Sequence, residues 1–202
     1  MIIHLIRHGQ TDWNLEGKLQ GTQDIPLNTR GHSEAKKLGM RLKAWPVNKV
    51  IVSPLLRARQ TADASFNDYT IIEGFREIEL GEWEGMTKAT LWHHRPDLAD
   101  NAPFDTVETA AKNGESWRDL LARASETFKQ VIDTSAPTDT IVIVTHGGVI
   151  KTLVADLLAM PLKRRAQLSI DNTSITTLEI GDGEALIKLL RYNDTAHLEW
   201  DE

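Results

Sequence analysis

Two histidines stand where apolar runs stop. His8, in Arg7-His8-Gly9, follows Ile2-Ile3-His4-Leu5-Ile6, and His146, in His146-Gly147-Gly148, follows Ile141-Val142-Ile143-Val144. Both runs read as buried strands, so each imidazole is delivered to a strand end. In open α/β sheets the ligand crevice lies outside the carboxyl ends of parallel strands, so two such histidines imply one reactive site. Two further runs point the same way: Val50-Ile51-Val52 leads to Arg57, one turn into a following helix, and Thr70-Ile71-Ile72 leads to Glu77. The arginine fork matches phosphate oxygens bidentately, and free backbone N–H groups at a helix start near Gly147-Gly148 would add anion donors. The set suits a phosphate ester. A neutral imidazole can attack phosphorus in line and leave a phosphohistidine for water to remove, with Glu77 as the acid for the leaving oxygen.

Taken singly, the same residues have plainer readings. His8 or His146 alone would be a satisfied core histidine, and Arg57 alone a solvated helix arginine. Glu79, Glu82 and Glu84 compete with Glu77 for the acid role, and Asn14 and Gln20 read equally well as turn residues bonding their own backbone. His4, His32, His93, His94 and His197 have neither HExxH spacing nor a cysteine partner, so no metal site is expected. His4 points opposite to its strand neighbours and should be packed. Trp45, Trp117 and Trp200 read as packing residues, and Trp13 and Trp83 as pocket walls.

The elements that must hold these residues follow from periodicity. Thr29-Arg30-Gly31 opens a helical pattern through Ala35, Leu38, Leu42 and Trp45 that stops before Pro46. Ser53-Pro54 predicts a second helix, with Ser53 as N-cap, running to Ser65. Helical spacing returns from Glu115 to Ile132 and from Val149 to Leu158, with a continuous apolar strand over Thr140 to Val144 between them. Two β-rich runs, Ser174 to Ile180 and Ala185 to Leu190, flank Gly181-Asp182-Gly183, a hairpin signal. Strands alternating with helices predict an α/β fold: a single-domain, three-layer α/β/α sandwich over residues 1–202 with a mostly parallel sheet. Residues 86–114 are the least regular stretch. They are expected to form a short lid-like insertion that leaves water access to the crevice.

Composition narrows the function classes. The chain has 202 residues, 41% hydrophobic and 26% charged, enough to bury a core without staples. It has no cysteine, which excludes a disulfide framework, a thiolate nucleophile and cysteine-based metal sites. A net charge of −6 argues against nucleic-acid or membrane binding, so an anionic substrate must be held by a local basic pocket. No targeting segment or apolar run of spanning length is present, and a cytoplasmic location is the default expectation. The β-rich carboxyl-terminal edge leaves a homodimer open.

Arg7-His8-Gly9-Gln10-Thr11 with Asn14, Ser53-Pro54 with Arg57-Ala58-Arg59-Gln60-Thr61-Ala62, Glu77 within the run from Arg76 to Gly85, and Thr145-His146-Gly147-Gly148 occur in that order. Together they resemble the histidine phosphatase superfamily, which includes the cofactor-dependent phosphoglycerate mutases. The ending Asn193-Asp194-Thr195-Ala196-His197-Leu198 is similar to the phosphatase branch. The resemblance implies His8 as the phosphorylated nucleophile, Arg7, Arg57 and His146 as holders of the phosphoryl oxygens, and Glu77 as proton donor; because burial and an incoming phosphate dianion oppose the nearby cations, Glu77 is expected to be protonated mainly in the substrate complex. It also implies that Asn14, Gln20 and Gly147 line the pocket. No cofactor or metal is implied, because protein cations can supply the charge that a transferring phosphoryl group needs. The expected activity is hydrolysis of a small phosphorylated metabolite. A dedicated α-ribazole phosphatase, a phosphoglycerate mutase primed by 2,3-bisphosphoglycerate, and a phosphate-binding module without turnover are the alternatives.

Overall fold

Long apolar runs without alternation belong to strands covered on both faces, and the centre of this molecule is built from such runs. The computed structural model describes residues 1–94, 108, 110–181 and 187–199. β1 (Ile2–Arg7) lies parallel to β4 (Thr140–Thr145), with Ile2 opposite Thr140 and Arg7 opposite Thr145. β4 pairs in parallel with β2 (Lys49–Val52), and β2 with the short β3 (Thr70–Ile71). On the other side β5 (Ile175–Ile180) is antiparallel to β1, and β6 (Ile187–Asp194) antiparallel to β5. The six-stranded order is β3-β2-β4-β1-β5-β6.

Side-chain alternation then divides the core in two. Ile3, Leu5, Ile51, Ile141, Ile143 and Leu178 face α5 (Trp117–Asp133), through Leu120, Ala124, Phe128 and Val131, and α6 (Gly147–Leu157), through Ile150, Leu153 and Val154. Ile6, Val52, Val142, Val144 and Ile175 face α2 (Thr29–Leu42), through Leu38 and Leu42, and α3 (Leu56–Asp63), through Ala58 and Ala62. The result is the three-layer α/β/α sandwich that the pattern predicts. His4 turns to the α2 side, with its ring 4.4 Å from that of Trp45 and Nδ1 3.0 Å from Thr177 Oγ1. Among the described residues no helix is long and apolar enough to cross a membrane.

Three boundaries differ from expectation for physical reasons. α2 ends at Leu42 rather than Trp45, whose ring turns back onto His4 and lies near Arg41. α3 begins at Leu56, not at Pro54, because the Ser53 hydroxyl is engaged by His146 instead of capping the helix, and the Asp24 carboxylate accepts the Leu56 N–H. The stretch after Met86 opens with a helix, α4 (Lys88–His94), whose Leu91 is buried in the core rather than suspended over the crevice. A single turn, α1 (Asp12–Leu15), follows His8, with Thr11 and Asn14 forming a reciprocal cap. Pro96, Phe104, Asp182, Gly183, Ala185 and Trp200 lie outside the described residues, as does about half of the expected lid.

The start of α2 touches the backbone that leaves His8. A Cβ on Gly31 would sit 2.0 Å from Gln10 O, so only glycine allows this approach.

Candidate active site

Register decides what meets at the carboxyl edge. β1, β4 and β2 end level with one another, since Val144 is opposite both Ile6 and Val52. His8, His146 and Ser53 therefore emerge side by side.

His8 is 3% exposed, and its Nδ1 lies 2.7 Å from Gly9 O. A carbonyl only accepts, so Nδ1 carries the ring proton and Nε2 keeps the lone pair. Burial and the adjacent Arg57 and Arg7 charges hold the His8 pKa well below the usual 6.5, which keeps the ring neutral. The Nε2 lone pair is thus unprotonated at neutral pH.

Both guanidiniums are deep. Arg57 is fully buried, donating Nη1 to Gln23 O and Nη2 to Gly21 O, each at 2.7 Å, while Arg7 donates Nη1 to Ile170 O at 2.6 Å. The Nε of each is buried without a hydrogen-bond partner, and among the described residues neither makes an ion pair. Burial lowers both pKa values, that of Arg57 to about 10, so both remain charged at neutral pH. Glu77 is the opposite charge that acts most strongly on both, yet it forms an ion pair with neither, and a further anion between them would offset the cost of their burial.

His146 occupies the residue before α6, its ring 5.2 Å from that of His8 and inclined at 56°. Its Nε2 is 2.6 Å from Ser53 Oγ, whereas Nδ1 is buried and unpartnered. Burial, followed by Arg57 and His8, pushes its pKa well below 6.5. Ser53 Oγ also accepts, at 3.4 Å, from Leu55 N, and a Ser53 proton given to Nε2 would place the His146 proton on Nδ1.

Glu77 accepts from Ile78 N at 3.0 Å through Oε1 and from Gly148 N at 2.9 Å through Oε2. The Gly148 N–H, expected to be a free anion donor, is therefore occupied by Glu77. A Cβ at position 148 would lie 2.3 Å from Glu77 Oε1, so glycine is what admits the carboxylate. The loop beneath is clamped from α5. Arg123 donates Nη1 to Gly74 O and Arg76 O at 2.9 and 3.0 Å and Nη2 to Glu77 O at 3.3 Å, and it pairs with Glu115, which accepts from Glu79 N. Glu84 instead holds the Thr22 backbone at 2.7 Å. Glu77 is the one carboxylate among the described residues lining the cavity.

That cavity has a volume of about 300 Å³, and Arg7, His8, Asn14, Gln20, Arg57, Glu77 and Gly147 all line it. It lies at the small end of ligand pockets. Asn14 proves to be both turn and wall. Its Oδ1 accepts from Thr11 N at 3.1 Å and, at 3.4 Å, from Asn172 Nδ2, which also donates to His8 O at 2.9 Å. Gln20 places a buried, unpartnered Oε1 at the same wall. His146 is the exception, buried beside His8 rather than lining the cavity. Trp13 and Trp83 do not line it either, and Trp83 belongs to the core; Trp117 does line it. Lys18, Lys88, Lys151 and Arg165 complete the wall without having been singled out by any motif. Among the described residues no group of three or more histidines, aspartates and glutamates is placed to hold a metal.

A histidine with a free lone pair, flanked by buried arginines and faced by a carboxylate, defines a phosphoryl-transfer site on an α/β/α frame. The model of the histidine phosphatase superfamily (branch 1) matches residues 3–195, and the chain belongs to that family. The Bacillus subtilis protein described as the uncharacterized phosphatase PhoE is 30% identical over 96% of this chain and 95% of its own. The adenosylcobalamin/α-ribazole phosphatase of Salmonella typhimurium is 29% identical over 94% of this chain and 96% of its own. The solved structure of Bacillus stearothermophilus YhfR superposes with a TM-score of 0.89 at 33% identity, covering 98% of this chain and 99% of that one.

Proposed function

We propose that the protein hydrolyses small phosphomonoesters, without a metal, through a phosphohistidine on His8 Nε2. The observation that carries this reading is the neutral His8, its Nδ1 committed to Gly9 O, set between two buried arginines that lack ion-pair partners.

In the first half-reaction the Nε2 lone pair attacks phosphorus and the P–O ester bond breaks. A protonated Glu77 gives its proton to the leaving oxygen, so that oxygen departs as a hydroxyl and not as an alkoxide. Arg7 and Arg57, which line the cavity, take up the charge on the phosphoryl oxygens, the contribution that dominates such transfers, and the unpartnered Nδ1 of His146, behind the wall beside His8, is assigned as a further donor to the oxygen nearest it. In the second half-reaction water attacks the phosphohistidine while the Glu77 carboxylate takes a proton from it. The P–N bond breaks, its electrons return to Nε2, and inorganic phosphate leaves.

Phosphate release from a panel of phosphomonoesters, with EDTA present, tests the proposal. Turnover that survives EDTA and vanishes in His8→Ala, together with acid-labile phosphate on the wild-type chain, is expected. Turnover in His8→Ala that matches wild type would remove the nucleophile assignment. α-Ribazole phosphate belongs in the panel because a relative bears that name. Activity that appears only after 2,3-bisphosphoglycerate is added would instead make the protein a mutase.

A further inference from the structure

The phosphoryl group accounts for Arg7 and Arg57 but not for the other cations of the cavity. Lys18, Lys88, Lys151 and Arg165 also line it, against the single carboxylate Glu77, in a chain whose net charge is −6. Lys18 is paired with Glu16, and Lys88 is exposed. Lys151 and Arg165 differ from these. Arg165 is 1% exposed, with its guanidinium 3.9 Å from the centre of the Trp117 ring and Nη1 donating to Leu162 O at 3.1 Å. Lys151 is half-buried, and among the described residues its ammonium has neither a hydrogen-bond nor an ion-pair partner.

Helix geometry says where Lys151 works. It is four residues beyond Gly147 in α6, so the two share a face, and helical side chains lean toward the helix amino terminus. Gly147 adjoins Arg7, whose Nε would lie 3.4 Å from a Cβ at that position. The Lys151 side chain is therefore carried toward the phosphoryl pocket but starts about one turn, ~5 Å, farther out. Burial lowers the Lys151 pKa; Arg7, Lys88 and Arg165 add to this, and Glu77 opposes it. A half-buried ammonium that repels its neighbours is unfavourable in the empty cavity and favourable once an anion lies among them.

We infer that Lys151, with Arg165 behind it, forms a second anion subsite, and that the substrates of this protein are phosphomonoesters whose organic part carries its own negative charge about one helical turn from phosphorus. The inference rests on the phosphatase reading for the identity of the first subsite. It makes Lys151 a specificity residue, acting on the leaving group and not on the transferred phosphoryl group.

3-Phosphoglycerate and glycerol 3-phosphate make a suitable pair of probes, because they differ only in a carboxylate against a CH2OH. Wild-type kcat/KM is expected to favour 3-phosphoglycerate by ~10- to 100-fold, the range of one charge-assisted contact. Lys151→Met should bring that ratio within about threefold of unity, chiefly by losing 3-phosphoglycerate turnover, and Lys151→Arg should restore it. A ratio unchanged by Lys151→Met, equal losses on both esters, or no wild-type preference would each overturn the subsite. Calorimetric Kd values of both esters for His8→Ala and for His8→Ala/Lys151→Met provide the second reading. If wild type turns over neither ester nor p-nitrophenyl phosphate, the phosphatase proposal fails, while the Kd ratio and its collapse in the double variant still decide the subsite. Lys151→Gln, read the same way, stands in if Lys151→Met does not fold.

Discussion

Ser53→Ala probes the part of the site that lies behind His8. The hydroxyl sits 2.6 Å from His146 Nε2, and both residues are fully buried. Removing it strands a buried ring nitrogen at a cost of about 1–3 kcal/mol, which for a chain of this size lowers Tm by about 2–12 °C. The catalytic effect is separate. Without Ser53 the neutral ring can move its proton from Nδ1 to Nε2, and the donor proposed for a phosphoryl oxygen is lost in that tautomer. Deleting such a donor outright costs ~10²- to 10³-fold, so partial loss through misorientation should lower kcat/KM by ~10- to 100-fold. The assay is phosphate release from p-nitrophenyl phosphate and from an alkyl phosphate. The loss should be similar on both, because the effect falls on the phosphoryl group and not on the leaving group. A double-mutant cycle separates positioning from packing: Ser53→Ala should cost nothing more in a His146→Ala background. A variant that loses Tm but keeps wild-type turnover, or a cycle in which the losses add, would refute the reasoning and leave Ser53 purely structural.

Three other predictions concern pH, the proton donor and metals. His4 and His197 are held to about 4 by burial, with Arg41 adding to both, and His8 and His146 lie well below 6.5. Below 6.5 the unfolded chain binds protons that the native rings refuse, so stability is fully present above that pH and is lost as pH falls toward 4; at pH 5 the loss is ~2 kcal/mol for each of His4 and His197. Urea unfolding at pH 7 and pH 5 measures this, and equal stabilities would contradict it. Glu77→Gln should lower turnover of alkyl phosphates by ~10²-fold or more while sparing p-nitrophenyl phosphate, whose leaving group needs little protonation; equal losses would assign the acid to another residue. Activity should survive EDTA, and restoration by zinc or magnesium after chelation would contradict the metal-free reading.

Most of the fold could be read from periodicity because its signals were strong and local. Continuous apolar strands and amphipathic helices need no knowledge of their partners, and the strand-end positions of His8, His146, Arg57 and Glu77 follow from them. What escaped is what depends on pairs far apart in sequence. Ser53 read as a helix cap, since Ser before Pro is a start signal, yet its hydroxyl is taken by His146, 93 residues away. Gly148 read as a free donor, yet Glu77 arrives from a different loop to occupy it. Arg123 lies on an ordinary amphipathic helix, and nothing in its own neighbourhood reveals that it clamps three carbonyls of the Glu77 loop. Lys151 had a weaker signal that could have been used: it is four residues after Gly147, on the same face of a helix already assigned to the site.

The two halves of the cavity are held by different kinds of structure, and this bears on how one fold serves different esters. Ser53, His146 and His8 follow three neighbouring strands whose register is continued by backbone bonds, Ser53 N to Val144 O and His8 N to Thr145 O, both 2.9 Å. A slip of one residue in any of these strands would send its side chains to the opposite face and empty both the core and the site. The phosphoryl half is therefore tied to the stability of the whole sheet, and substitutions there are confined to residues that keep its hydrogen bonds. Lys151, Arg165 and Trp117 come instead from a second helical turn, from the 3-10 turn Leu162–Gln167, and from the first residue of α5. Their side chains can change without moving a strand. On the proposed reading, chemistry at phosphorus depends on the sheet and the choice of leaving group on helix surfaces, where a substitution such as Lys151→Met would alter the charge facing the substrate without moving a strand.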